Sequence, residues 1–428
     1  MNIEDTIRRE QFCQIQSEIR GSDQYLVVGI DVGKDKHHAF MGTCTGKSLL
    51  RKLIFENNIE GFRTLLERTE AIRSQNALSE VVFGVEPTGN YHKPLGAHLI
   101  HCGCNIVMVT GKAVKYNRQL LDGRWDKHDT KCAANIADLV SRGRCLYYDY
   151  PAASVNQIRQ LLSLRRRLKK EEHGLRMRIR NNLLAQYFPE LDRYYSACES
   201  ETLMIVRWFL DPSKIAAMEY ERFISLVTTR RRGIAQKLRL QKIHQLAFES
   251  VGCPVGPAVE LEAELLVIKL NVVRNHLDDV SNMLEDCCLE HDEYSYLLTI
   301  PGFGPYISAK VLAAIGNPWR FDYAGQVLKM AGYDLCAKRS GKSSDNAVPV
   351  ISKSGNAELR FALYQAALIA TTRNRDFINY FTRILRGRER EQGIKTKMRV
   401  KLAAKMLKIA WTLMKKKEIF DPNHLDLE

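Results

Sequence analysis

One apolar stripe constrains the fold of this chain more than any other feature of its sequence. Between residues 259 and 287, apolar side chains recur at spacings of four and three in strict alternation, which is typical of a coiled-coil seam. Alanine and cysteine are weak seam residues, so an amphipathic helix on a globular core is the alternative. The stripe consists of Val259, Ala263, Leu266, Leu270, Val273, Leu277, Val280, Leu284 and Cys287.

The charge along this helix is opposite to that of an earlier helical segment. Residues 260–293 contain ten acidic and two basic side chains, whereas residues 159–180 contain nine basic and two acidic ones. The basic segment also has leucines and an isoleucine near a period of 3.6 residues. An antiparallel pairing of the two helices would satisfy both charge patterns.

The whole chain is basic, which indicates a polyanionic partner. It contains 64 Lys and Arg against 49 Asp and Glu, a formal net charge of +15, and nucleic acid is the commonest partner of such a protein. A merely basic soluble enzyme is the alternative. The excess is greatest in residues 373–417, with fifteen basic and three acidic side chains, and we predict that this part of a basic helical tail over 359–417 binds nucleic acid.

Nothing in the sequence directs the chain to a membrane or to an oxidising compartment. The first residues lack the apolar core of a secretory signal, and no apolar run approaches the ~18 residues of a membrane span. Eleven cysteines at scattered spacings resemble neither a disulfide framework nor a zinc site. We therefore expect a cytoplasmic protein with reduced thiols and no membrane contact.

The first 150 residues alternate strand and helix patterns, which indicates an α/β sheet. Buried-strand runs are predicted at 25–30, 81–85 and 105–110, with 38–43 as a possible hairpin partner. Helical periodicity is predicted at 60–73, 93–101 and 130–141.

Four carboxylates stand at the ends of these predicted elements. Asp31 ends the first strand and Glu86 follows the second, where ligand residues collect in open α/β sheets. Asp126 and Asp129 lie three residues apart at the start of a predicted helix and so share a face. Acids brought this close need cations, and Mg²⁺ prefers carboxylate ligands together with water and phosphate. For any single acid, a helix cap or a turn is the alternative.

The sequence around these acids resembles a family of insertion-sequence transposases related to the Piv and MooV DNA invertases. The N-terminal resemblance lies in GIDVGKDKH, VEPTGNYH and WDKHDTKCAANIADL, and the C-terminal one in LLTIPGFGPYISAKVLAAIG, RFDYAGQVLKMAGYD and KRSGKSSDNAVPVISKSGNAELRFALYQAA. It covers nearly the whole chain from about residue 23. Around the acid pair, Arg124-Trp125 and Thr130 replace the Lys-Thr and Ala that are usual in the family.

The resemblance implies a domain order and a metal site. It implies an α/β RNase H/RuvC-like domain over 23–150 after an extension at 1–22, a helical coiled-coil assembly region over 151–296, and a mostly α C-terminal transposase domain over 297–428. Asp31, Glu86, Asp126 and Asp129 would then be a metal-binding and catalytic D-E-D-D set that holds Mg²⁺.

The resemblance also implies a nucleophile, Ser340, that becomes joined to a DNA 5′ phosphate. Lys338, Arg339 and Lys342 flank it and would hold the scissile phosphate. From the residues alone a solvated Gly-Ser loop is favoured, and only the resemblance selects Ser340 among the neighbouring serines. The other serines of this loop region are Ser343, Ser344, Ser352 and Ser354.

Three further residues are predicted to bind nucleic acid. Gly302 and Gly304 precede a helix predicted at 306–315, where backbone N–H groups would face a DNA phosphate, although a plain turn is the alternative. Arg360 belongs to the C-terminal block of the resemblance.

Together these features predict a DNA transposase or recombinase that forms a serine–phosphate intermediate. The family is guided by an element-encoded RNA and acts on donor and target DNA, and the four strand ends imply a homodimer or homotetramer. Two alternatives stay open: a metal-dependent RuvC-like junction endonuclease, and a non-catalytic nucleic-acid-binding regulator.

Overall fold

The structure is a computed structural model that describes residues 3–121, 129–195, 200–228, 233–336 and 349–426. Within these ranges the side chains of residues 3–5, 121, 129 and 130 are not described. The chain divides into two compact units. The first comprises Met1–Ala152 and Asn317–Asp322, and the second comprises Ala153–Gly316 and Tyr323–Glu428.

A sheet of six strands with helices packed on both faces forms the first unit. The strand order is β3-β2-β1-β4-β5-β6, in which β1, β4 and β5 are parallel and the other pairs are antiparallel. The strands are β1 (Tyr25–Asp31), β2 (Lys36–Thr43), β3 (Ser48–Glu56), β4 (Glu80–Val85), β5 (Asn105–Met108) and β6 (Leu146–Tyr147). The helices are α1 (Ile3–Glu18), α2 (Ile59–Gln75), α3 (His92–His101), α4 (Gly111–Leu121) and α5 (Asp129–Ser141).

Alternate residues of β1 face two different cores, because successive side chains of a strand point to opposite sides of the sheet. Val28 and Ile30 pack in the core that contains residues of α2 and α3, whereas Val27 packs in the core that contains residues of α5. Burial on both faces explains why the strand is an apolar run rather than an alternating one. The predicted mixed α/β sheet is confirmed.

Two α-helices and two strands of this unit were not predicted from the sequence. They are α1, α4 and the two edge strands, β3 and β6. The α1 helix buries Ile15 and Ile19, so it belongs to the first unit rather than projecting from it. The third predicted strand is also shorter than expected, since β5 ends at Met108.

The second unit is mostly helical, as expected. Its helices are α6 (Ala153–Arg178), α7 (Ala185–Tyr187), α8 (Ser200–Trp208), α9 (Pro212–Ala216), α10 (Tyr220–Val227), α11 (Ile234–Ala247), α12 (Pro257–Leu289), α13 (Asp292–Leu298), α14 (Pro305–Ile315), α15 (Ala324–Ala331), α16 (Ala357–Arg373), α17 (Arg375–Leu385) and α18 (Ile394–Lys416). A π-helical segment, Ile179–Leu184, joins α6 to α7. Two short strands, β7 (Leu335–Cys336) and β8 (Val350–Ile351), pair antiparallel.

The basic helix α6 packs against the acidic helix α12 in the antiparallel sense. Arg165 Nε donates to Ser281 Oγ at 3.3 Å, and Glu172 pairs with Arg274 at 3.5 Å, so contacts advance along one helix as they recede along the other. The apolar stripe of α12 is buried from Ala263 to Cys287. The stripe is therefore covered within one chain.

The predicted basic helical tail is instead three packed helices. Asn374 separates α16 from α17 and caps the latter by accepting hydrogen bonds from the Asp376 and Phe377 N–H groups, both at 3.1 Å. Gly393, in a left-handed conformation, precedes α18. Apolar residues of α18 such as Met406 are fully buried, so the cations of this segment project from a packed helix.

In the described part of the chain, no helix has the length and apolar character needed to cross a bilayer.

Candidate active site

Two of the predicted carboxylates stand side by side at one edge of the sheet. Asp31 is the last residue of β1, and Glu86 directly follows Val85, the last residue of β4. The two strands are parallel neighbours in which Ile30 is the register partner of Val85. Asp31 and Glu86 therefore continue the same register at the carboxyl ends of adjacent strands.

Both carboxylates lie on the face of the sheet that α5 covers. Gly29 and Gly84 are register partners, and each lies two residues before one of the acids, hence on the same face. A β-carbon placed on Gly29 would lie 2.2 Å from the Ala133 carbonyl oxygen of α5. The missing side chains let this helix approach the backbone of the central strands.

Of the other two predicted acids, only the backbone of Asp129 lies within the described residues. Asp129 is the first residue of α5, one helical turn before Ala133, so the fold brings its backbone to the face that bears Asp31. Its side chain is not described, and Asp126 lies outside the described residues.

The Glu86 side chain reaches the start of α4. A β-carbon placed on Gly111, the first residue of α4, would lie 2.7 Å from Glu86 Oε1. A carboxylate is favoured there, because the N–H groups at a helix N-terminus carry partial positive charge. The backbone before the helix is held to the same strand, since Val109 N–H donates to Val85 O at 2.9 Å.

His38 lies beside Asp31, a position that the sequence did not reveal. It lies on β2 as the register partner of Asp31, so its side chain is on the same face as the carboxylates. The signal was only the His37-His38 pair after the first strand. Alternation assigns His37 to the other face, where its ring lies 5.1 Å from the Phe55 ring.

The oxygen donor atoms of Asp31 and Glu86 are of the kind that binds a magnesium ion. Mg²⁺ is held in proteins by one or two carboxylates together with waters and phosphate oxygens. Asp31 and Glu86 provide such a pair. Among the side chains that the structure describes, no group of three or more His, Cys, Asp and Glu is close enough to hold a metal ion.

The predicted serine and its basic neighbours, Ser340, Lys338, Arg339 and Lys342, lie outside the described residues. The flanking backbone is described. Leu335 pairs with Ile351 and Cys336 pairs with Val350, so the two ends of the segment are held together. Next to the β7–β8 strand pair, Ser352 Oγ donates to Asp334 Oδ1 at 2.5 Å, so Ser352 has a structural partner.

Arg360 contacts the backbone close to the β7–β8 strand pair. Its Nη1 donates to the Ala331 carbonyl at 2.7 Å, near the end of α15. Burial raises the pKa of Tyr333, whose hydroxyl donates to the Arg360 carbonyl at 3.2 Å. These contacts give Arg360 a structural role, and its predicted contact with nucleic acid stays a prediction.

The two glycines before α14 have different surroundings. Gly302 has φ = +89°, and a β-carbon there would lie 2.4 Å from the Ala366 carbonyl oxygen of α16, so conformation and packing both require glycine. Gly304 is the N-cap of α14, and nothing lies within 4 Å of an added β-carbon. Gly304 thus leaves the open approach that the predicted phosphate contact needs.

Comparison with known proteins identifies the class to which this chain belongs. A family model described as Transposase matches residues 28–189, which include both strand-end carboxylates and α5. A second model, described as Transposase IS116/IS110/IS902 family, matches residues 294–382, which include Gly302 and Arg360. Together the two models cover more than half of the chain. The chain belongs to the IS116/IS110/IS902 family of transposases.

Proteins of insertion elements are similar to this chain over nearly their full length. A 44.8 kDa protein of insertion element IS116 from Streptomyces clavuligerus is 24% identical over 92% of this chain and 96% of its own. A 43.6 kDa protein of insertion element IS110 from Streptomyces coelicolor is 23% identical over 92% and 95%. A 42 kDa protein of insertion element IS900 from Mycobacterium paratuberculosis is 21% identical over 93% and 98%.

Proposed function

We propose that this protein moves an insertion element by cutting and rejoining DNA through a covalent protein–DNA intermediate. The observation that supports the proposal best is the pairing of Asp31 and Glu86 at the ends of parallel strands, in a chain of a transposase family. Two carboxylates in register on one face suit a phosphate-processing metal site.

Asp31 and Glu86, together with Asp126 and Asp129, would hold Mg²⁺ in this proposal. The bound ion would stabilise the negative charge that develops on the phosphate during transfer. The protein contributes the fixed positions of its ligands: the β1–β4 register holds Asp31 beside Glu86, and the start of α4 restrains the Glu86 carboxylate.

Ser340 would carry the covalent step. Its Oγ forms a bond to phosphorus while the bond from phosphorus to the 3′ oxygen breaks, which leaves a 5′-phosphoserine and a free 3′ hydroxyl once the proton of the serine has been transferred. A 3′ hydroxyl of the new partner strand then attacks phosphorus and releases the serine. Lys338, Arg339 and Lys342 would bind the phosphate during both steps.

The partners in this proposal are donor and target DNA, a guide RNA encoded by the element, and further copies of the chain. The net charge of +15 suits both nucleic acids. A second stripe on α12 supports association between copies, because it is exposed and follows the four-three spacing of a coiled-coil seam. It consists of Leu261, Leu265, Ile268 and Val272, which are 57%, 48%, 38% and 45% exposed.

A suicide DNA substrate, which traps the covalent intermediate, tests the proposal. We expect the parent protein to form a protein–DNA adduct and Ser340→Ala to form none, while Ser354→Ala, a change to a described and exposed serine of the same region, forms it normally. An adduct with Ser340→Ala would assign the nucleophile to another serine. Cleavage without any adduct in the parent would favour the metal-dependent junction endonuclease, and DNA binding without cleavage would favour the regulator.

A further inference from the structure

We infer that the exposed face of α4 binds the DNA strand that is cut at the carboxylate site. This inference rests on the proposed function and names a contact surface beside it. The helix begins at Gly111, against which Glu86 Oε1 lies, so the surface starts at the carboxylate itself. A strand whose phosphate is processed at Glu86 has this helix as its neighbour.

Buried contacts fix which face of α4 is presented to solvent. Val114 and Asn117 are 1% and 4% exposed and point toward α5. Asn117 Nδ2 donates to Asn135 Oδ1 at 2.8 Å and to Asp138 Oδ2 at 2.7 Å, and Asn135 Nδ2 donates to the Val114 carbonyl at 2.7 Å. Buried polar groups are costly to leave without partners, so this network holds the helix in one rotation.

The opposite face has the chemistry of a strand-binding surface. Lys112, Lys115, Tyr116 and Gln119 are all exposed and share this face through spacings of three and four. Tyr116 is 60% exposed, and Leu120 on the next turn is 75% exposed. Ammonium groups bind phosphates, and an exposed aromatic ring stacks on bases.

The charge of α4 distinguishes this face from an ordinary solvated one. Its sequence, GKAVKYNRQLL, has no acidic residue. Within the described part of the chain, neither Lys112 nor Lys115 has an ion-pair partner, in contrast with α2, whose Arg63 and Arg73 pair with Glu60 and Glu70. Cations without acidic neighbours favour a polyanion over a protein partner.

The length of the face suits a short stretch of strand. From Lys112 to Gln119 the helix advances by roughly 10 Å at about 1.5 Å per residue. A DNA strand in a duplex advances by about 3.4 Å per nucleotide, so the face spans roughly three nucleotides. This is the span needed to position one phosphate at Glu86 and hold the nucleotides beside it.

The test compares two double variants of the full chain that remove the same charge. Lys112→Ala/Lys115→Ala changes α4, and Arg51→Ala/Lys52→Ala changes two exposed cations on the edge strand β3 of the same unit. Binding of a fluorescent mixed-sequence DNA duplex is measured by anisotropy over a series of KCl concentrations in EDTA. Thermal unfolding of each variant establishes that it is folded.

We expect the α4 double variant to reduce the slope of log affinity against log salt by about 1.8, at roughly 0.9 for each lost phosphate contact. The β3 variant should keep the slope of the parent. On single-stranded DNA, Tyr116→Ala should weaken binding about tenfold through lost stacking, and Tyr116→Phe should retain it.

An unchanged slope in the α4 variant, or an equal loss in the β3 variant, would overturn the inference. A reduction in slope seen only with an RNA duplex of the same sequence would also overturn the inference, because it would assign the face to RNA. The measurement needs neither metal nor cleavage. A protein that binds DNA as expected but forms no serine adduct would therefore refute the proposed function and still support the DNA-binding face of α4.

Discussion

Glu86 and Gly111 are in contact across the start of α4: a β-carbon on Gly111 would lie 2.7 Å from Glu86 Oε1. That distance is shorter than real contacts of such a carbon allow, so Gly111 leaves the space that the carboxylate occupies. The contact joins the end of β4 to the helix that bears the proposed DNA-binding face.

Gly111→Ala should therefore impair catalysis more than stability. The added methyl group forces the Glu86 carboxylate to move, and a displacement of about 1 Å at a reacting centre can cost roughly 100-fold in rate. We expect strand cleavage to fall by about that factor, with thermal unfolding close to that of the parent. Cleavage at the parent rate would show that the position of this carboxylate does not matter.

Asp31→Asn should abolish strand cleavage and leave DNA binding intact. The substitution keeps the shape of the side chain but removes the charge with which it would hold Mg²⁺. Cleavage is measured over a series of Mg²⁺ concentrations, and DNA binding is measured in EDTA. Full recombination by this variant in Mg²⁺ would refute the metal-site assignment. Asp23→Asn, at an exposed acid before β1, serves as a control expected to cleave.

The strand-end carboxylates were predictable because their positions depend on local pattern alone. Each follows an apolar run that is buried on both faces, and strand ends collect ligand residues. His38 was not predictable in the same way. Its place opposite Asp31 depends on the register between β1 and β2, which a turn sets and a one-residue slip would reverse.

Helix α4 escaped prediction because buried polar contacts, together with only a short apolar contact at Ala113 and Val114, hold it in place. Asn117 is buried through its bonds to Asn135 and Asp138, and an asparagine in sequence favours turns over helix interiors. Tertiary hydrogen bonds here override the local preference. The basic C-terminal segment shows the converse: its charge suggested a helical tail that binds nucleic acid, whereas Met406 and its buried neighbours make α18 a core helix.

Gly29→Ala should destabilise the first unit strongly. Its β-carbon would lie 2.2 Å from the Ala133 carbonyl oxygen and 2.5 Å from the Ala137 nitrogen, and neither backbone atom can move without shifting α5. We expect a loss of roughly 3 kcal/mol or more in the free energy of unfolding, at the upper end of overpacking effects.

Gly174→Ala is the matched comparison. This glycine lies inside α6, and nothing lies within 4 Å of an added β-carbon, so the change should stabilise the second unit by about 1 kcal/mol. Both values follow from denaturant unfolding. A stable Gly29→Ala protein would mean that α5 does not pack on β1 as described.

Lysine substitutions in the buried and in the exposed apolar stripe of α12 should have different effects. Leu270 is fully buried in the stripe covered within the chain, so Leu270→Lys should cost several kcal/mol and lower the unfolding temperature. Leu265→Lys/Ile268→Lys changes the exposed stripe and should dissociate copies of the chain without loss of thermal stability. Light scattering after size exclusion measures the mass. An unchanged mass in the double variant would place the association elsewhere.

His37 should make the first unit less stable in mild acid. Its ring is fully buried, Gly33 N–H donates to its Nδ1 at 3.2 Å, and burial lowers its pKa from the usual value. The unfolded chain, with a histidine pKa of about 6.5, then binds this proton more readily than the folded protein does. Stability from neutral His37 is therefore fully present above about pH 6.5 and is lost as the pH falls toward the lowered pKa, by up to ~1.4 kcal/mol per pH unit.

His37→Phe keeps a ring beside Phe55 but cannot titrate. It should cost about 1 kcal/mol at neutral pH for the lost acceptor, yet lose less stability than the parent between pH 7 and pH 5.5. Denaturant unfolding at a series of pH values measures this difference, with His101→Gln, at an exposed histidine, as the control that keeps the parent profile. Identical profiles for the parent and His37→Phe would mean that His37 titrates alike in the folded and unfolded chains.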